Sequence, residues 1–300
     1  MKTIQSIPTD VYALFQPDVH HTVSEENLEA FGENVKQLVR DRLATRPDSD
    51  ALRFSSLGKP DRQLWYQANT PDAAEPMPPK NYLKFLYGDV IEQLMILLIK
   101  EAGHTVEMEQ YELELDGVLG HIDAKIDGVI CDVKSASPFS YQKFANKKIF
   151  EDDPFGYIGQ ISGYSNVLTP ERGGAFVAFD KVSGELCVLE IPLEISRRHS
   201  PSEKIAHQKR IINLPVPPDR CYSDIEDGKS GNRKLGTNCS YCNYKNSCWE
   251  NLRTFFYASG PRFLTHVAKV PDVPELGKVA SIEDKEVHPL GFCSIQSKRI

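Results

Sequence analysis

Apolar positions fall at helical spacing in residues 24–43, SEENLEAFGENVKQLVRDRL, with Ser24 placed as N-cap and Glu25 and Glu26 in the first turn. A Pro-rich loop at 67–81 leads to residues 82–101, YLKFLYGDVIEQLMILLIKE, which are apolar nearly all round and predict a buried helix. Strands are then expected at 105–115, 118–126 and 129–135. A helix at 155–168 follows, and GAFVAFD and LCVLEIP predict a hairpin across KVSGE. A basic segment at 197–212 leads into a cysteine region at 221–250, and the tail after 258 reads as loosely ordered.

Within this pattern, GHIDAKIDGVICDVKSAS, residues 120–137, places charge among β-branched residues. Asp127-Gly128 suits a two-residue type I′ turn, which needs φ > 0 at both central positions. With that turn, Ile126 pairs with Val129, Asp123 is expected opposite Asp132, and His121 opposite Lys134. One face then carries His121, Asp123, Lys125, Ile130, Asp132 and Lys134; the other carries Ile122, Ala124, Ile126, Val129, Cys131 and Val133. Like charges directly opposite each other destabilise a sheet, and a divalent cation between two carboxylates reverses that sign. The alternative is a hairpin whose charged face is simply solvated.

Composition narrows the class. The chain has 300 residues and 40 % hydrophobic content, enough for one large domain with additions. It has no apolar run long enough for a transmembrane helix, and its first residues lack the basic-then-apolar order of a signal peptide. Seven cysteines, three of them between Cys239 and Cys248, suit a reduced, cytoplasmic protein with a metal site better than a disulfide framework. Cys239-x₂-Cys242-x₅-Cys248 can bring thiolates onto one metal, with Cys221 the nearest fourth thiol; Zn²⁺ or a [4Fe–4S] cluster would fit. The alternative is a set of reduced, unligated thiols, as expected of Cys131, Cys187 and Cys293. A net charge of −7 argues against coating nucleic acid through overall charge, which leaves local groups: Lys143, Lys147 and Lys148, and Lys229, Arg233 and Lys234.

Taken in order, a helix with Glu92, a strand with Asp123, a strand with Asp132-Val133-Lys134 and a helix with Gln160 and Tyr164 resemble the PD-(D/E)XK nuclease superfamily. The resemblance is to its RecB-like branch of phage exonucleases and CRISPR-adaptation nucleases, and spans about residues 52–250. SSLGKPDRQLWY, residues 55–66, is also similar to the N-terminal segment of the cysteine-bearing members, with Asp61 where they carry a cysteine. The resemblance implies an α/β, restriction-endonuclease-like core: a mixed central sheet flanked by helices, with a Cys-rich C-terminal metal-binding region. It implies Mg²⁺ or Mn²⁺ held by Asp123, Asp132, the Val133 carbonyl and Glu92, with Lys134 orienting water or phosphate. Gln160 and Tyr164, four apart on one helix face, would hold DNA or the lysine; the alternative for Glu92 and Tyr164 is a core role. His121 would serve as a neighbour or phosphate contact. Asp61 is the alternative fourth ligand to Cys221. The division expected is an N-terminal helical region (1–50), a nuclease core (51–220), a Cys-cluster region (221–258) and a tail (259–300). The activity implied is a metal-dependent deoxyribonuclease, exonuclease before endonuclease, with a non-catalytic nucleic-acid-binding relative as the remaining class. DNA is the implied partner, with a recombination or single-strand-annealing protein and a homo-oligomer as further ones.

Overall fold

The computed structural model describes residues 2–44 and 52–276. The first half of the chain runs α1 (Ile7–Ala13), α2 (Glu25–Leu43), α3 (Asp61–Asn69), α4 (Pro79–Glu101), β1 (Val106–Glu107), β2 (Glu112–Leu115), β3 (Val118–His121), β4 (Ala124–Ile126) and β5 (Val129–Ala136). The second half runs α5 (Pro138–Ala145), α6 (Tyr157–Leu168), β6 (Ala175–Asp180), β7 (Leu186–Glu190), α7 (Leu193–Ser196), α8 (Pro201–Ile212), β8 (Ile225–Glu226), β9 (Arg233–Lys234), α9 (Thr237–Ser240), α10 (Lys245–Cys248), β10 (Arg253–Tyr257) and β11 (Gly260–His266). The described residues form two compact units, one of residues 2–222 with Thr237–Cys248, the other of Ser223–Gly236 with residues 249–276.

The first unit is α/β, with a mixed sheet in the order β1-β4-β5-β6-β7 flanked by helices. β5 and β6 are parallel and the other neighbours antiparallel. Parallel neighbours need a long crossover, and α5 and α6 supply it. Side-chain alternation divides β5 between two cores. Val129, Cys131 and Val133 pack with Ile91, Met95 and Ile99 of α4 and Ile7 and Val11 of α1. Ile130 and Ala136 pack with Tyr141 and Phe144 of α5 and Ile158, Ile161 and Tyr164 of α6. Asp132 and Lys134 sit between these last two on the same face, so the strand delivers its charges from a rigid, fully packed element.

The Asp127-Gly128 turn forms with φ of 47° and 83°, and Ala124↔Cys131, Lys125↔Ile130 and Ile126↔Val129 pair as the turn dictates. The expected strand 118–126 is broken, however. β3 pairs with β2 in a separate two-stranded sheet closed by Asp116-Gly117, and the chain bends at Ile122 and Asp123 before β4 begins. Ile122 therefore packs with Phe54 and Ile130 on the α6 side, not with Ala124. Met108 and Gln110, at φ of 54° and 49°, divide the expected strand 105–115 in the same way.

α2 begins where Ser24 caps it, its side chain accepting from Asn27 N. α4 is buried only in its later turns, while Tyr82, Leu83, Phe85 and Tyr87 are exposed. α1 falls within the helical region expected over 1–50, whereas α3 and α5 have no counterpart in the pattern. α5 carries a readable start, Ser137 as N-cap followed by Pro138.

In the second unit, a four-stranded antiparallel sheet runs β10-β11-β9-β8. Residues 260–266, expected in a loose tail, form its longest strand, because Gly260 at φ 116° lets β11 fold back on β10. Cys293 and the rest of the tail beyond 276 lie outside the described residues.

Candidate active site

Asp132 and Lys134 are two residues apart on β5 and so share a face. Asp132 is buried, and the Lys134 ammonium stands 2.6 Å from its Oδ2. The same ammonium lies 4.7 Å from the centroid of the Tyr157 ring. Burial works against the charge of Lys134, but Asp132 and Asp123 more than offset it and hold the amine above its usual range, so it stays protonated.

Asp123 does not sit in the ladder opposite Asp132. It lies in the bend before β4, where its Oδ2 accepts the Val133 N–H at 2.7 Å. A strand residue's N–H and C=O leave by the same edge, so the Val133 carbonyl also opens past the end of β4. Burial pushes the Asp123 carboxyl well above the usual range, with the charges of Asp132 and Glu92 adding to it. Glu92, from α4, is pushed up to about 7, first by burial and then by Asp132 and Asp89. Its Oε1 accepts from Gln110 Nε2 at 2.7 Å. Three carboxyls thus share one half-buried lysine. This is a hard-oxygen donor set with excess negative charge, the chemistry a divalent cation such as Mg²⁺ or Mn²⁺ takes, although the three carboxyls do not already stand as a metal-binding group.

Gln160 and Tyr164 are joined to each other, and the Tyr164 hydroxyl also meets the backbone of His121. The Tyr164 ring is buried, stacked on Phe54 at 5.0 Å, and burial pushes its hydroxyl up to about 12. Both residues line a cleft of about 440 Å³ with Arg53, Ser55 and His121. The ring that the lysine meets is that of Tyr157. His121 is likewise not opposite Lys134. It pairs with Glu112 on β2, their side chains 3.1 Å apart and exposed, because β3 belongs to the other sheet.

The pattern did not reveal Tyr157 or Gln110. Tyr157 opens α6, whose first N–H groups, from Tyr157 and Ile158, are accepted by Asp153 at 3.0 and 2.9 Å. Just before it Gly156, at φ 73°, lies so close to Gly58 that a Cβ on either would run into the other's backbone. Asp153 lies three residues before the Gly156 N-cap, outside the usual capping position, and nothing local marks Gln110.

The local basic groups are largely spoken for. Lys143 pairs with Asp152 at 2.6 Å, Arg233 with Asp224 at 2.6 Å, and Lys234 with Asp227 at 3.0 Å. Lys147 takes a left-handed turn, φ 59°.

None of the six described cysteines forms a disulfide. Cys221, Cys239, Cys242 and Cys248 all belong to the first unit. Cys242 and Cys248 pack against Trp65, Tyr66 and Tyr244. Burial raises the Cys242 thiol, with Cys248 adding to it, and Cys221 and Cys239 both act on Tyr222. Among the described residues no three His, Cys, Asp or Glu side chains already stand as a metal-binding group. The segment has other reasons to be ordered than a metal. Tyr244 stacks on Tyr66 at 5.8 Å, buried Lys245 and Asn246 reach Glu75, and Tyr66 Oη donates to Ser247 O at 3.0 Å. Asp61 bonds His207 at 2.7 Å, which occupies the alternative ligand. Cys131 is core, and Cys187 meets Tyr141.

No protein-family model matches the chain, and no curated protein matches its sequence. Among solved structures the chain is similar to the crystal structure of SSO0001, at 12 % identity and a TM-score of 0.38, over 72 % of this chain and 94 % of that one. It is also similar to LHK-Exo in complex with dAMP, at 14 % identity and a TM-score of 0.36, over 59 % of this chain and 94 % of that one. No helix among the described residues is long and apolar enough to cross a membrane.

Proposed function

We propose that the chain is a metal-dependent nuclease of the PD-(D/E)XK type that hydrolyses DNA phosphodiester bonds, an exonuclease before an endonuclease. The observation that carries the reading is the set of three carboxyls, Glu92, Asp123 and Asp132, sharing the one protonated Lys134. A purely structural core would be more stable with apolar groups there, since buried charge is expensive unless fully compensated.

Asp123, Asp132, the Val133 carbonyl and Glu92 would hold the cation. When bound, a divalent cation supplies a water of lowered pKa and stabilises charge on the scissile phosphate. Lys134, fixed between Asp132 and the Tyr157 ring, presents a point charge to the phosphate oxygens as negative charge builds there. Gln110 engages the Oε1 of Glu92, which would leave Oε2 to meet the cation or its water. Cys239, Cys242, Cys248 and Cys221 would hold a structural zinc or [4Fe–4S] centre against α3.

The test is cleavage of free-ended and end-blocked linear DNA, single- and double-stranded, with Mg²⁺. The expected result is progressive degradation of free-ended DNA that Asp132→Asn abolishes. Rapid linearisation of a closed circle would replace exonuclease by endonuclease. Wild-type cleavage by Asp132→Asn would overturn the assignment of the site.

A further inference from the structure

The opening turns of α4, residues 79–87, carry Lys80 and Lys84 and no acid, in a chain whose net charge is −7. Tyr82, Leu83, Phe85 and Tyr87 are 58, 67, 44 and 48 % exposed. Contiguous exposed apolar surface of this kind marks an interaction site. Cations are interleaved with the rings. The Arg42 guanidinium, which also pairs with Asp89, lies 5.9 Å from the Phe85 centroid, and the Lys181 ammonium 5.9 Å from that of Tyr87. Tyr82, Phe85, Asp89 and Glu92 are spaced by three, four and three residues, so they form one stripe along the helix. At 1.5 Å per residue Phe85 lies about 10 Å along the axis from Glu92. The same helix crosses β5 closely at Gly88, where a Cβ would come within 3.2 Å of Ser135 Oγ, one residue past Lys134. The surface therefore runs directly into the candidate active site.

We propose that this segment is a stacking platform for single-stranded DNA, with bases on the faces of Tyr82 and Phe85 and phosphates on Lys80 and Lys84. Exposed rings interleaved with cations match the chemistry of a single strand, whose bases offer π faces and whose backbone offers phosphates. A duplex hides its base faces in the stack and would gain only the cations. The proposal rests on the nuclease reading for its direction, toward Glu92, and is tested without cleavage.

The experiment measures anisotropy of fluorescein-labelled oligothymidylate with the full chain in EDTA. Tyr82→Ala/Phe85→Ala should bind the single strand at least about tenfold more weakly, with a labelled duplex far less affected. Tyr82→Phe/Phe85→Tyr keeps the rings and should bind as wild type does. Lys80→Ala/Lys84→Ala should flatten the salt dependence by about 0.7 in log–log slope per lost phosphate contact. All these side chains are exposed, so thermal melts should match wild type and separate lost binding from lost folding. Unchanged single-strand binding by the ring-deleted variant overturns the proposal, as does an equal loss for single strand and duplex. A wild-type dimer that the ring deletion splits, with DNA binding unchanged, would assign the surface to a second copy of the chain instead. Failure of wild type to cleave any DNA with Mg²⁺ would sink the nuclease reading and leave this binding result standing.

Discussion

Replacing Glu92 by Gln should make the metal-free protein more stable at pH 8 and leave it unchanged near pH 4.5. Glu92 ordinarily titrates at 4.5 and in the fold is pushed up to about 7, by burial first and then by Asp132 and Asp89. The folded state therefore binds this proton more tightly than the unfolded chain does. Below pH 4.5 both states hold it and no penalty arises. Between 4.5 and about 7 the unfolded chain loses the proton while the folded protein keeps it, so stability falls with rising pH; above about 7 the loss is complete. A rise from 4.5 to about 7 corresponds to about 3 kcal/mol. Glutamine keeps the shape and can still accept from Gln110 while carrying no charge. Urea melts in EDTA from pH 4.5 to 8.5 should show the Glu92→Gln protein gaining on wild type across that window and reaching about 3 kcal/mol in excess. Differences between the two proteins cancel the titration of distant groups. Relief of Asp123, which Glu92 also repels, works in the same direction. A stability difference that stays constant over this pH range would refute the argument. Added Mg²⁺ at pH 8 should then stabilise wild type by binding only the folded state, and should not stabilise Asp132→Asn. Absence of any gain in wild type would remove the cation from the site.

Lys134→Met should destabilise the fold by about 3–5 kcal/mol, because it leaves buried carboxylates uncompensated, and adding Asp132→Asn should recover much of that loss in urea melts without restoring cleavage. Gly156→Ala should lose more than about 2 kcal/mol, since φ 73° disfavours a side chain and Gly58 fills the space its Cβ needs, whereas Gly159→Ala meets Gly58 at an ordinary 3.5 Å and should stay near neutral. In anaerobic protein analysed for iron and zinc, Cys242→Ser and Cys248→Ser should lower metal content, and Asp61→Ala should leave it unchanged because Asp61 is engaged by His207. Equal metal content in all three variants would remove the metal centre.

The parts of the site that the sequence disclosed are those whose cause is local or electrostatic. An Asp-Gly turn dictates its own pairing over the next few residues, so Ala124↔Cys131 and the apolar face of Val129, Cys131 and Val133 could be written down in advance. The bend at Ile122 could not. A chain with period two looks the same whether its strand stays in one sheet or changes sheets, and here the cause is tertiary. At Gly120 the backbone passes so close to Phe54 and Tyr164 that a Cβ would meet them at 2.5 and 2.8 Å, and Leu119 bridges Arg53. That contact holds β3 away from the central sheet, moves His121 to Glu112, and turns Asp123 from a ladder partner into an acceptor for Val133 N–H. The same distinction explains Tyr157. Asp123 and Asp132 stand out in the sequence because like charges set close together need a reason. A ring that covers the lysine from a helix start 23 residues further on disturbs no local pattern. Its position follows from Asp153 accepting the first N–H groups of α6 and Gly58 meeting Gly156, two contacts that exist only after the chain has folded. Residues that hold charge in this site left a trace in the sequence, while the neutral residues that hold those charges in place became visible only through their contacts.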